Sequence, residues 1–148
     1  MSEFSHLEPG GAARMVDVGG KAEQERRAVA AGHVVCEPRT IVALRDNALP
    51  KGDALTVARV AAIQAAKLTS HLIPLCHPLP LNHVAVDFEV GENGIAIRCE
   101  VATRSVTGVE MEALTGVAVA ALTLYDMMKS ADKTMRIEGI TLVTKVKK

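Results

Sequence analysis

"HVAVDFEVGENGIAIRCEVATRSV", residues 83–106, is the stretch on which the fold turns. Two runs that alternate apolar and polar side chains, 83–90 and 94–106, meet at "GENG", 91–94. Period-two alternation around a Gly/Asn connection predicts an antiparallel hairpin with one face buried. A hairpin buried on one face needs something to cover it, and its neighbours in the chain supply the cover.

Upstream, "ALTVARVAAIQAAKLTS", 54–70, is an alanine-rich helix with Asp53 as its natural N-cap. Downstream, "TGVEMEALTGVAVAALTLYDMMKS", 107–130, is the longest helical segment, and Thr107 with Glu110 has capping-box spacing. Further out, "HVVCE", 33–37, reads as a strand ended by Pro38, and "PRTIVALRDN" as a short helix with proline in its first turn. "MRIEGITLVTKVK", 135–147, alternates as a closing strand, and "MVDVG", 15–19, has the pattern of a short additional one. From residue 33 the order is strand, helix, strand, strand, helix, strand, with an extra helix at 54–70. That is the βαββαβ order of a ferredoxin-like α+β sandwich, an antiparallel sheet with helices on one face. Residues 1–14 are expected to be a flexible lead-in and 15–148 a single domain.

Composition excludes several classes of function. The 148 residues carry 17 basic and 17 acidic side chains, with one Tyr, two Phe and no Trp. Sequence-independent nucleic-acid binding draws on net positive charge and stacking rings, so no nucleic-acid partner is expected. No apolar run reaches the roughly 18 residues of a membrane span. The first residues lack the basic start and apolar stretch of a secretory signal, so the expected location is the cytoplasm. Cys36, Cys76 and Cys99 are odd in number and widely spaced, which argues against a disulfide framework.

Several side chains have the chemistry of a site, each beside a plainer account. Asp126 and Lys129 share a helix face three residues apart, with Lys133 one turn on. They suit a surface ion pair and, equally, a carboxylate acid/base steered by ammonium groups that hold phosphate. "LPKGD", 49–53, sets Lys51 beside a glycine at a helix start, an arrangement that also occurs in ordinary turns. Glu110 fits a cap better than a catalyst, whereas Glu112 has no capping role. In "LIPLCHPLPL", 72–81, neighbouring Cys76 and His77 lack the partners of a zinc site and do not face each other as nucleophile and base. A buried turn remains, or a proline-stiffened loop presenting His77 to a ligand. Glu112 and Asp126 are fourteen residues apart, on nearly one face but roughly 21 Å apart along the helix. If both serve one small substrate, the site is shared between subunits.

Taken together, "LPKGDALTVARVAAIQAAKLTSHLIPLCHPLPL", "TGVEMEALTGVAVAALTLYDMMK" and "MVDVGGKAEQERRAVAAG" closely resemble the cyclic pyranopterin monophosphate synthases of molybdenum-cofactor biosynthesis, the MoaC family. The likeness runs from about residue 15 to about 145. It implies a ferredoxin-like fold, a hexamer built as a trimer of dimers, and active sites at dimer interfaces. The implied reaction follows a radical S-adenosylmethionine enzyme and rearranges cyclised dihydro-GTP to the cyclic pyranopterin, expelling pyrophosphate, with no cofactor or metal. It also implies residue roles. Asp126 of "YDM" is the catalytic acid/base, with Lys51 of "KGD" also tied to catalysis. Leu75, Cys76, His77, Met111 and Glu112 line the substrate pocket with Glu110 beside them, and Lys129 contacts phosphate. Arg26 of "QERRA" and Lys145 correspond to further site residues. The pattern departs at "LVTKVKK", 142–148, where the family often carries a glycine-rich tail. Two plainer functions stay open beside this one, a nucleotide-sensing domain without chemistry and a structural subunit.

Overall fold

The computed structural model describes residues 7–148. Strands β1 (Gln24–Val35), β2 (His83–Val90), β3 (Gly94–Ser105) and β4 (Arg136–Lys147) form one antiparallel sheet in the order β2-β3-β1-β4. Helices α1 (Pro38–Arg45), α2 (Ala54–Lys67), the single turn α3 (Thr69–Leu72) and α4 (Glu110–Met128) complete the chain. This is the ferredoxin-like α+β sandwich, with the hairpin at its heart. His83 pairs with Ala102 and Val90 with Ile95, and the Gly91 N–H donates to the Gly94 carbonyl at 2.9 Å.

Strand β1 is longer than its sequence suggests. It starts at Gln24 rather than His33, while residues 15–18 stay outside the sheet. Ala28, Ala30 and Gly32 are weak strand formers, but they face the helices and are small because α4 lies directly on them. A β-carbon on Gly32 would stand 2.8 Å from Cγ1 of Val117. Tertiary packing chose these residues against local propensity.

The core is aliphatic. Ile95, Ile97, Cys99 and Val101 of β3 meet Ala113, Val117, Ala120, Ala121 and Leu124 of α4, all buried. Helix α4 is long and apolar enough to cross a membrane, yet more than half of that window is buried within the domain, as in a core helix. Helix α2 packs Ala54, Ala58, Ala62 and Ala66 inward, and its Arg59 reaches over the edge to the Val86 carbonyl and the Phe88 ring. Asp53 caps α2 as expected, accepting from the Thr56 N–H at 3.2 Å. Helix α2 ends at Lys67 rather than Ser70, and the Thr69 hydroxyl turns back onto the carbonyls of Ala65 and Ala66. Helix α4 starts at Glu110, not Thr107, and the Thr107–Glu110 capping box does not form: Val109 is the N-cap and no side chain caps it.

One buried carboxylate ties both ends of the fold together. Asp132, 1 % exposed, accepts from the N–H of Glu37 and Thr134 and from the hydroxyls of Thr40 and Thr134. Burial alone would raise its carboxyl, but these four donors bring it down to about 2. A depressed folded-state value stabilises above the ordinary carboxylate range, and that stability is lost as pH falls toward 2, by about 2 kcal/mol. Asp132→Asn turns an amide N–H₂ toward those donors. A loss of about 2–4 kcal/mol is expected in urea denaturation, with a flatter acid branch. An unchanged midpoint would show that the four hydrogen bonds contribute little.

Candidate active site

The residues singled out from the sequence gather at the two ends of α4. At the C-terminal end, the Asp126 carboxylate holds one lysine on each oxygen: Lys51 Nζ at 3.0 Å from Oδ2 and Lys129 Nζ at 2.9 Å from Oδ1. Lys51 arrives from the turn before α2, which buried Leu49 anchors on one side and the Asp53 cap on the other. The Lys129 hydrogen bond, then that of Lys51, lowers the Asp126 carboxyl below its ordinary range, so it is a carboxylate and a base at neutral pH. All three groups are about half exposed and accessible to a ligand. Lys133 does not join them; its Nζ donates to the Lys129 carbonyl and closes the helix end.

At the N-terminal end, the proline-rich loop and the start of α4 enclose a cavity of about 300 Å³. Leu75, Cys76 and His77 form one wall, and Thr107, Gly108, Glu110 and Met111 the other. Glu112 is not in the wall but behind it, 3 % exposed, with Oε2 3.7 Å from the Cys76 sulfur. Burial, then the nearby Glu110 charge, raises the Glu112 carboxyl, and its Oε1 has no hydrogen-bond partner among the described residues. Burial and the Glu112 carboxylate push the Cys76 thiol up to about 11, so it stays protonated and donates to Glu112. It is a poor nucleophile.

Glu110 behaves differently from its neighbour. Burial pushes its carboxyl up, but the hydrogen bond from Lys145 Nζ at 2.5 Å, its own N–H and the Lys145 and Arg26 charges outweigh this, and the net shift is downward. Arg26 is 8 % exposed; one Nη donates to the Val106 carbonyl at 3.4 Å and its Nε has no hydrogen-bond partner among the described residues. Lys147 lies opposite Arg26 in the β1–β4 register. His77 Nε2 is hydrogen-bonded to the Val16 carbonyl, so the segment before β1 lies against the loop. Val16, Thr107 and Gly108 were not foreseen from sequence, since nothing local marks a backbone carbonyl or a small wall residue.

A second cavity, of about 490 Å³, lies along Glu25–Arg27 and Ala102–Arg104. Of the residues picked from sequence only Arg26 borders it, and its Arg27 and His83 are both engaged by Glu100 at 2.5 and 3.3 Å. Most of the residues picked from sequence thus lie away from it, at the ends of α4. Because the Cys76 thiol serves as a donor to Glu112, Cys76→Ser keeps that role and is expected to change activity less than about two-fold. His77→Ala removes the one imidazole in the wall and is expected to cost about ten-fold or more. Steady-state kinetics check this, and the reverse ranking would mean that the pair is misassigned.

Fold and site together define a small α+β domain with cations around a carboxylate at one end of a helix and an imidazole–thiol–carboxylate pocket at the other. The model described as "MoaC family" matches residues 15–147. The chain is 54 % identical over 146 residues to a protein named cyclic pyranopterin monophosphate synthase from Chloroflexus aurantiacus, covering 97 % of this chain and 90 % of that one. A protein of the same name from Corynebacterium efficiens is 54 % identical over 145 residues, 98 % of this chain and 94 % of the relative. A molybdenum cofactor biosynthesis bifunctional protein from Chlorobaculum tepidum is 54 % identical over 140 residues, 95 % of this chain and 45 % of the relative. The chain belongs to the MoaC family.

Proposed function

We propose that this protein is a lyase of molybdenum cofactor biosynthesis that converts (8S)-3′,8-cyclo-7,8-dihydroguanosine 5′-triphosphate to cyclic pyranopterin monophosphate and pyrophosphate. The observation that carries this function is the identity, over 97 % of the chain, to a protein named for that synthesis. The geometry supports it. Lys51 and Lys129 are placed to neutralise a triphosphate and the leaving pyrophosphate. Asp126, ionised between them, accepts and returns protons during ring opening and reclosure, with Lys51 as its proton partner. The cavity between Leu75, Cys76, His77, Glu110 and Met111 takes the heterocycle, with Glu112 behind Cys76.

Glu112 and Asp126, near the two ends of α4, are roughly 21 Å apart by helix rise, too far for one nucleotide to bridge. A working site therefore combines the Asp126 end of one copy with the His77–Glu110 end of another, in a hexamer built as a trimer of dimers. The enzyme acts in the cytoplasm on the product of a radical S-adenosylmethionine enzyme. Incubation with the cyclised nucleotide tests this directly. Stoichiometric pyrophosphate and pterin are expected; tight binding with no pyrophosphate would instead indicate a nucleotide sensor.

A further inference from the structure

We propose that Gly108 is a positioning residue: the lack of a side chain there lets the Glu110 carboxylate fold back into the cavity wall and onto Lys145. This rests on the substrate role given above to that cavity.

A β-carbon built on Gly108 would stand 2.5 Å from each carboxylate oxygen of Glu110 and 2.8 Å from its Cδ. Those three atoms are its nearest neighbours. Gly108 is not among the residues with positive φ, so the backbone itself does not demand glycine. What the site excludes is a methyl group beside a carboxylate at the end of a flexible side chain. An alanine would therefore leave the chain path intact and push the carboxylate away. The cost of that displacement is local. Glu110 would lose Lys145, held at 2.5 Å, and the charge that also raises Glu112 and Cys76 would move. The unformed capping box has its explanation here as well. Glu110 folds back over Gly108 onto a lysine thirty-five positions later instead of capping the helix start, and Gly108 clears the space it occupies.

Three variants test this: Gly108→Ala, Glu110→Ala and the double substitution. Gly108→Ala is expected to melt within about 2 °C of wild type, since only the end of one flexible, partly exposed side chain shifts. Its kcat/KM should fall roughly ten-fold, mainly through KM, because a misplaced wall group weakens substrate positioning. The double variant should be no worse than Glu110→Ala alone, since both remove one interaction. A crystal structure of Gly108→Ala should show the carboxylate off Lys145. A structure with the carboxylate still on Lys145 overturns the proposal whatever the activity, and so do losses that multiply in the double variant. If Gly108→Ala displaces the carboxylate while Glu110→Ala remains fully active, the positioning stands and the substrate role of Glu110 falls.

Discussion

Asp126→Asn is expected to lower kcat on the cyclised nucleotide by about 10²–10⁴-fold, the contribution of a positioned proton-transfer group. Asparagine keeps the shape of the side chain but cannot take up a proton. It also presents only one oxygen to the two ammonium groups now held at 3.0 and 2.9 Å. Lys51 and Lys129 would lose their common partner, and with it the alignment that the proposed function uses for the leaving pyrophosphate. The fold should not notice. The three side chains are about half exposed, and exposed ion pairs contribute little to stability. Unchanged thermal unfolding with lost turnover is thus the expected pair of results. The pH profile follows from the direction of the shift. The lysines hold the Asp126 carboxyl below its ordinary range, so the ionised form persists into mildly acidic solution and is lost only as pH falls through that depressed value. An acidic limb of kcat near neutrality would have to come from another group. Near wild-type turnover by Asp126→Asn would remove the carboxylate from the chemistry.

Much of the fold was legible because the hairpin carries its own evidence. Residues 83–106 alternate, turn and bury in register, and Asp53 caps α2 where its side chain said it would. What could not be read locally depended on distant partners. Residues 24–32 look unlike a strand until α4 is laid on Ala28, Ala30 and Gly32, which have to be small beneath it. Thr107 and Glu110 have capping-box spacing, but Lys145 competes for the glutamate from the far end of the chain. Asp132 shows no motif at all, because its four donors come from residues 37, 40 and 134 and meet only in the folded state.

The site was legible in pieces. Asp126 and Lys129 announce each other by spacing, whereas Lys51, seventy-five residues away, joins them only when the turn before α2 is packed against the end of α4. Helix geometry alone set Glu112 and Asp126 apart, and the structure adds what surrounds each: a half-buried thiol and a covering loop for Glu112, two lysines and solvent for Asp126. Under the proposed function, neither end alone supplies every role assigned to the site. The lysine end has charge and a base, about half exposed, and the loop end has a cavity and an imidazole with Glu110 already neutralised by Lys145.

The most direct test of this composite site mixes two inactive proteins. Glu110→Ala combined with His77→Ala disables one end, and Asp126→Asn the other, in separate preparations. After equal amounts are dissociated and reassembled together, about half of the dimers carry one copy of each. Each such dimer has one site with both lesions and one with none, so about a quarter of wild-type activity is expected to return. Activity that stays at the level of the separate variants, in oligomers shown by mass to be mixed, would contradict a site shared between two copies.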